Sequence, residues 1–185
     1  MTIDVTVRGN GSAIASTWAL NEATVEKVAR ERMIEMVIEI DGRPLSRWGC
    51  DGVVCSTPTG STAYAFSAGG PVVWPEVEAL LMVPISSHAL FNRPLVVSPQ
   101  SVLAVEVIVR AETSGAVMWC DGRRKVDLPL GARVEVRRGS LPVLLARLPA
   151  PGAHGGPFTD RLVTKFGLPV TGWRGRRWES ADKHA

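Results

Sequence analysis

The chain has 185 residues, 45% of them hydrophobic and 21% charged, a balance that suits one folded domain with a sizeable core and excludes a disordered chain. No run approaches the roughly 20 consecutive apolar residues of a membrane span, and Met1 is not followed by a basic segment and an apolar stretch, so no membrane partner is expected and a cytoplasmic location is. The net charge of +3 resides in the tail, because residues 161–185 carry +4 and the preceding 160 sum to −1; with no aromatic-plus-basic stripe in the body, nucleic acid is not an expected partner.

In chain order, Ile3, Val5 and Val7 alternate toward one face, and Arg8-Gly9-Asn10-Gly11 joins them to a second strand ending near Leu20. Asn21-Glu22, in ALNE, reads as a cap for a helix of about two turns over Thr24 to Arg32. MIEMVIEI and RPLSRW flank Asp41-Gly42, the dipeptide that supplies positive φ to a type I′ turn, and predict a hairpin. Further strands are expected at 52–56, 94–98, 101–110, 116–120 and 132–139, and a short helix at Pro75 to Leu81, where Val77, Leu80 and Leu81 would share a face.

Many short strands separated by turn residues, without βαβ alternation, argue a mainly β fold, a multi-stranded β-sandwich with a few short helices. The sandwich is expected over 1–148. PAPGAHGGP then marks a loop, and Phe158, Leu162, Phe166, Leu168 and Trp173 in residues 149–185 are read as anchors of a docked C-terminal segment. RGRRW, residues 174–178, reads as an exposed solubilising end. The odd count of three cysteines, Cys50, Cys55 and Cys120, points to buried reduced thiols and not to a disulfide framework or zinc knuckle.

Several standard constellations are missing. The chain has no GxSxG, HExxH, CxxC or GxxxxGK[ST], and His88, His154 and His184 lie far apart in sequence, so neither a His-centred triad nor a metal site is expected. What stands out is STPTGSTAYAFSAGG, residues 56–70, where nine of fifteen residues are Ser, Thr or Gly. Pro58 and Gly60 favour a turn after a strand, Ser61 or Gly60 suits a helix cap near Thr62, and Gly69-Gly70-Pro71 ends the helix. A first turn with free N–H groups and the hydroxyls of Thr59, Ser61 and Thr62 suits phosphate oxygens or a base edge, with Tyr64 as a stacking face. The alternative is that the hydroxyls only satisfy a tight turn, and spacing alone leaves both readings open. Asp41-Gly42 and Asp121-Gly122 are explained as turns. Asp51-Gly52 stands close enough to the Ser/Thr stretch for its carboxylate to face the same pocket, though a local turn explains it equally well.

These residues resemble the NAD kinase family. ALNE at 19–22, the DG at 51–52 and TPTGSTAYAFSAGGP at 57–71 are similar to three motifs of its C-terminal domain in the right order, and EIDGRPLSRWGCDG and FGLPVTGWRG look actinobacterial. The resemblance implies a dinucleotide-binding β-sandwich and, in the whole enzyme, phosphoryl transfer from ATP or inorganic polyphosphate to the 2′-hydroxyl of the adenosine ribose of NAD, with Mg²⁺ as the expected divalent metal. Asn21 and Glu22 match the pair that holds the ribose. Thr59, Thr62, Ala63, Tyr64, Ala65, Phe66 and Ser67 fall on the stretch that contacts adenosine, and Asp51 matches a carboxylate that reaches the NAD site, in some members from a neighbouring subunit. Arg32 falls where the family often carries a basic or His contact.

The resemblance also implies NAD and NADP as ligands and a homo-oligomer, dimer or tetramer. Two departures accompany it. Arg123 stands where the family often has Gln after the last Asp-Gly, and no GGDG motif, the family's expected source of the catalytic base, occurs in the chain. The chain therefore looks like the C-terminal portion alone, with the α/β half absent, no catalytic residue of its own and no kinase activity by itself. A stand-alone, non-catalytic NAD(P)-binding or scaffold domain is the alternative reading.

Overall fold

The computed structural model describes residues 1–29, 32–108, 115–144 and 158–169. Its strands are β1 (Ile3–Gly9), β2 (Ser12–Ala19), β3 (Glu22–Lys27), β4 (Ile34–Ile40), β5 (Arg43–Cys50), β6 (Gly52–Ser56), β7 (Leu80–Ile85), β8 (Leu95–Val97), β9 (Leu103–Val107), β10 (Ala116–Cys120), β11 (Arg124–Leu128) and β12 (Arg133–Arg138). A 3₁₀ turn at Gly60–Thr62 leads into α1 (Tyr64–Ser67), and α2 covers Phe158–Phe166. The expected β-sandwich is present: the strands form two antiparallel sheets, ordered β2-β1-β12-β9-β4-β5 and β11-β10-β3-β6-β7-β8.

Alternation builds the first sheet. Ile3, Val5 and Val7 of β1 are buried while Asp4, Thr6 and Arg8 are not, and Met36 and Ile38 of β4 with Val134 and Val136 of β12 repeat the pattern. These side chains meet Val25, Val53, Cys55, Met82 and Met118 of the second sheet in one cluster, so apolar burial between two layers holds the domain. β6 and β7 are buried on both faces, because Ala65 of α1 covers Val54 and Val83 on the outer side. The hairpin turns at Asn10-Gly11, Asp41-Gly42 and Asp121-Gly122 have positive φ at both central residues, the geometry of two-residue hairpins.

Two expected helices are strands. Residues 22–27 form β3, hydrogen-bonded to β10 on one side and β6 on the other, so sheet pairing overrides the weak helical pattern and Glu22 opens a strand instead of capping a helix. Leu80 and Leu81 open β7, paired with β6 and β8, and only a tight turn closed by Val77 N–H to the Trp74 carbonyl precedes it. β11 was not expected. Its Lys125 and Asp127 alternate with Val126 and Leu128 on an edge strand, where charge discourages further pairing.

The three cysteines are free and buried, as the composition implied. Burial pushes the Cys50 and Cys55 thiols up to about 12 and that of Cys120 to about 11, so none is a thiolate at neutral pH. Compact units span Met1–Leu144 and Leu145–Ala185. The expected boundary at Leu148, Trp173 and the RGRRW patch lie outside the described residues; within α2 no residue is buried. No described helix is long and apolar enough to cross a membrane.

Ile38 is fully buried between the layers. Ile38→Ala is expected to lower unfolding free energy by about 2–5 kcal/mol in urea titration, through lost transfer energy and the cavity left behind.

Candidate functional site

Between β2 and β3 the chain crosses from one sheet to the other through Leu20 and Asn21, and a crossing this short leaves backbone groups without ladder partners. Two turns of the second sheet supply them. The Asp121 carboxylate accepts from the N–H groups of Leu20 (2.9 Å), Asn21 (2.7 Å) and Glu22 (3.3 Å), and the Asp121 N–H donates to the Glu22 carbonyl at 3.0 Å. Arg124 Nη2 donates to that carboxylate and to the Trp18 carbonyl, both at 2.8 Å, and its guanidinium lies 4.7 Å over the Trp18 ring. From the other side, Thr57 N–H donates to the Asn21 carbonyl (2.9 Å), Thr57 Oγ1 to the Leu20 carbonyl (2.7 Å) and Ser56 Oγ to the Asn21 carbonyl (3.1 Å).

The Ser/Thr stretch thus buttresses the crossing. Thr57 Oγ1 also accepts from Gly60 N–H (3.1 Å), while buried Ser61 donates to the Pro58 carbonyl (2.6 Å) and accepts from Val73 N–H (2.9 Å). At Gly60 the backbones come so close that a Cβ would overlap the Asn21 carbonyl, which explains the glycine. Of the two open readings of this stretch, the tight turn accounts for its buried hydroxyls. Ser61 and Ala63 N–H groups bond to the Pro58 and Gly60 carbonyls, Gly60 N–H is held by Thr57, and α1 is a single turn without a side-chain cap. The Tyr64 N–H is directed at the Glu22 carboxylate.

That carboxylate defines the site. Glu22, Thr24 and Glu26 share the outer face of β3 and, with Tyr64, Trp119, Asp121 and Gly122, enclose a cavity of ≈ 410 Å³. Trp119 stands beside Thr24 across the β3–β10 pair. Glu22 is only 8% exposed, and its Oε2 is buried with no hydrogen-bond partner. Burial first, and the Asp121 charge second, push the Glu22 carboxyl above its ordinary range, against the pull of Tyr64 N–H. Burial and the charges of Glu26, Asp51 and Glu22 push the Tyr64 phenol up as well. Thr24 Oγ1 donates to Glu26 at 2.6 Å. An unpartnered buried acceptor between an aromatic ring and further carboxylates favours a ligand rich in hydrogen-bond donors and repels phosphate.

Of the sequence-predicted residues, Glu22 and Tyr64 line this cavity. Asn21 contributes the pinned backbone next to it. Asp51 lies outside the lining, held by Lys27 Nζ at 2.5 Å, yet close enough for its charge to act on Tyr64. Ala65 is buried against Val54 and Val83, Thr62 and Ala63 are half-buried on the 3₁₀ turn and at the start of α1, and Thr59, Phe66, Ser67 and Arg32 are exposed. Thr24, Glu26, Trp119 and Asp121 were missed; reading 22–27 as a strand would have grouped Glu22, Thr24 and Glu26 by alternation. A larger cavity of ≈ 560 Å³ beside Thr2, Asp4, Trp18 and Leu141 to Val143 contains no unpartnered buried polar atom to orient a ligand. Among the described residues no group of three His, Cys, Asp or Glu is placed to hold a metal, so the expected Mg²⁺ finds no ligand set there.

Residues 20–148, which carry the crossing, the Ser/Thr turn and Asp121, match the family model described as the ATP-NAD kinase C-terminal domain. The chain belongs to the NAD kinase family. It is 69% identical over 175 residues to NAD kinase 2 of Streptomyces avermitilis, covering 95% of this chain and 56% of that protein. It is 65% identical over 183 residues to the NAD kinase of Thermobifida fusca, covering 97% and 54%, so it spans about half the length of the curated relatives it matches. Family likeness extends to solved structures. Yeast NADH kinase complexed with NADH aligns over 74% of this chain and 39% of its own with TM-score 0.68 and 32% identity. An NAD kinase from Archaeoglobus fulgidus in complex with ATP aligns over 76% and 51% with TM-score 0.62 and 31% identity.

Asp121→Ala strands three backbone donors. A loss of at least about 2 kcal/mol is expected in urea titration, with Asp121→Asn between the two, since unsatisfied part-buried donors cost roughly 1–3 kcal/mol each. Because the folded-state pKa of Glu22 is raised, the folded protein binds the proton more tightly and stability falls as pH rises from 4.5 through the raised value. Glu22→Gln is expected to flatten that decline and to raise Tm at pH 7; thermal melts of both proteins across pH 4.5–7 check it, and an unchanged profile contradicts it.

Proposed function

We propose that this chain is the dinucleotide-binding portion of an NAD kinase, an enzyme that transfers a phosphoryl group from ATP or inorganic polyphosphate to the 2′-hydroxyl of the adenosine ribose of NAD. The observation that carries the reading is the free, buried Oε2 of Glu22 facing a cavity bordered by Tyr64. A ribose hydroxyl or a base amine is the donor this acceptor lacks. The acidic lining suits the nucleoside and leaves the pyrophosphate outside the cavity. Support comes from the family match over residues 20–148 and from structural neighbours described with NADH and with ATP.

In this reading the Glu22 carboxylate, fixed by its pinned backbone beside Asn21, binds and orients the nucleoside, and Tyr64 presents its ring to the adenosine. Thr62 and Ala63 border the start of α1 and Ser67 closes it. Asp51, steadied by Lys27, stands next to the site, where it serves its own subunit or a neighbour in a homo-oligomer. Mg²⁺ supplies charge neutralisation for the donor phosphates in such reactions, and no described residue group is placed to hold it. Losing a general base costs about 10²–10⁴ in rate, and no GGDG motif is present to supply one.

Calorimetric titration of the chain with NAD is expected to show binding that Glu22→Ala and Tyr64→Ala each weaken about 10–100-fold, the worth of a charge-assisted hydrogen bond or a ring contact. Unchanged affinity in both variants contradicts the site. The purified 185-residue chain is expected to form no NADP from NAD and ATP or polyphosphate, and steady NADP formation free of contaminating kinase contradicts the assignment of roles.

A further inference from the structure

We propose that Trp119 is a second aromatic wall of the nucleoside site, stacking on the adenine ring opposite Tyr64 and so acting as a specificity residue for the base. The proposal rests on the reading that Tyr64 contacts adenosine.

Trp119 occupies β10, an interior strand, on the outer face of the second sheet. Its cross-strand neighbours there are Thr24 and Lys125, both polar. It belongs to neither buried apolar cluster, although β10 residues on the inner face, Met118 and Cys120, do. A half-buried indole on a polar sheet face, bordering the same cavity as the Tyr64 ring and the partnerless Glu22 oxygen, has a role other than core packing. Every charged side chain lining the cavity is a carboxylate: Glu22, Glu26 and Asp121. An anionic occupant is disfavoured, and a flat ring with a donor at its edge fits between the aromatic side chains and the partnerless Glu22 oxygen. Adenine meets both demands: two π-faces for the aromatic walls and an exocyclic amine to donate to Glu22 Oε2. Base–aromatic stacking contributes about 1–3 kcal/mol per base, so removing one wall is readable in affinity.

The test compares the chain with its Trp119→Leu and Trp119→Phe variants by calorimetric titration with NAD, AMP and nicotinamide mononucleotide. Trp119→Leu is expected to weaken NAD and AMP about 10–100-fold and to leave nicotinamide mononucleotide unchanged, while Trp119→Phe stays within about threefold of the parent. If Trp119→Leu binds NAD like the parent while Tyr64→Ala and Glu22→Ala are weakened, the second wall is overturned and the site stands. If none of these substitutions alters NAD binding, or the parent does not bind NAD, both fall. Weakening confined to nicotinamide mononucleotide overturns the adenine assignment. An NMR readout does not depend on the Leu variant folding: the indole N–H resonance missing from the Trp119→Phe spectrum is expected to shift on adding AMP, and a resonance that stays in place overturns the proposal.

Discussion

One carboxylate, that of Asp121, satisfies the N–H groups of three successive residues at the point where the chain passes between the two sheets. Such a crossing is costly for a β-sandwich, since it takes backbone out of the ladders while the core demands that the layers stay closely packed. Asp121 meets the cost from the β10–β11 turn, and Thr57 and Ser56 meet it from the end of β6. The three segments are far apart in sequence, and only the tertiary fold brings them together.

What the corner achieves is the placement of Glu22. A carboxylate that opens a strand at the centre of a sheet, beside a second carboxylate, is unfavourably placed for stability, and its raised pKa expresses that strain. Glu22 is held there by its own pinned backbone and by the Tyr64 N–H, with one oxygen left for a ligand. Polar groups buried at a loss and facing a cavity are a mark of binding sites. In the hydroxyl-rich stretch after β6, the buried Ser56, Thr57 and Ser61 make their hydrogen bonds within the protein, and Ser56 and Thr57 support the crossing.

Much of the fold was legible wherever chemistry is local. Asn10-Gly11 and Asp41-Gly42 between alternating strands announce hairpins because positive φ and period-two burial are both written in adjacent residues. β3 and β7 were not legible as strands. β3 does alternate, Ala23 and Val25 inward and Glu22, Thr24 and Glu26 outward, but two small apolar residues are too brief a signal, whereas β7 is buried on both faces and shows no alternation. The site divides in the same way. Glu22 and Tyr64 came from a motif resemblance, whereas Asp121 passed for a simple turn because its partners stand about a hundred positions earlier in the chain, and Trp119 carries no local signal at all.

The position at which a dinucleotide comes to rest decides the role of Glu22 and Tyr64. An electron-density map of the chain crystallised with NAD is predicted to show the adenosine moiety against Tyr64 and Trp119, with a ligand donor within hydrogen-bond distance of Glu22 Oε2 and the Leu20–Glu22 backbone still bound by Asp121. Density for the adenosine away from Glu22 and Tyr64, with the cavity left to solvent, would contradict it.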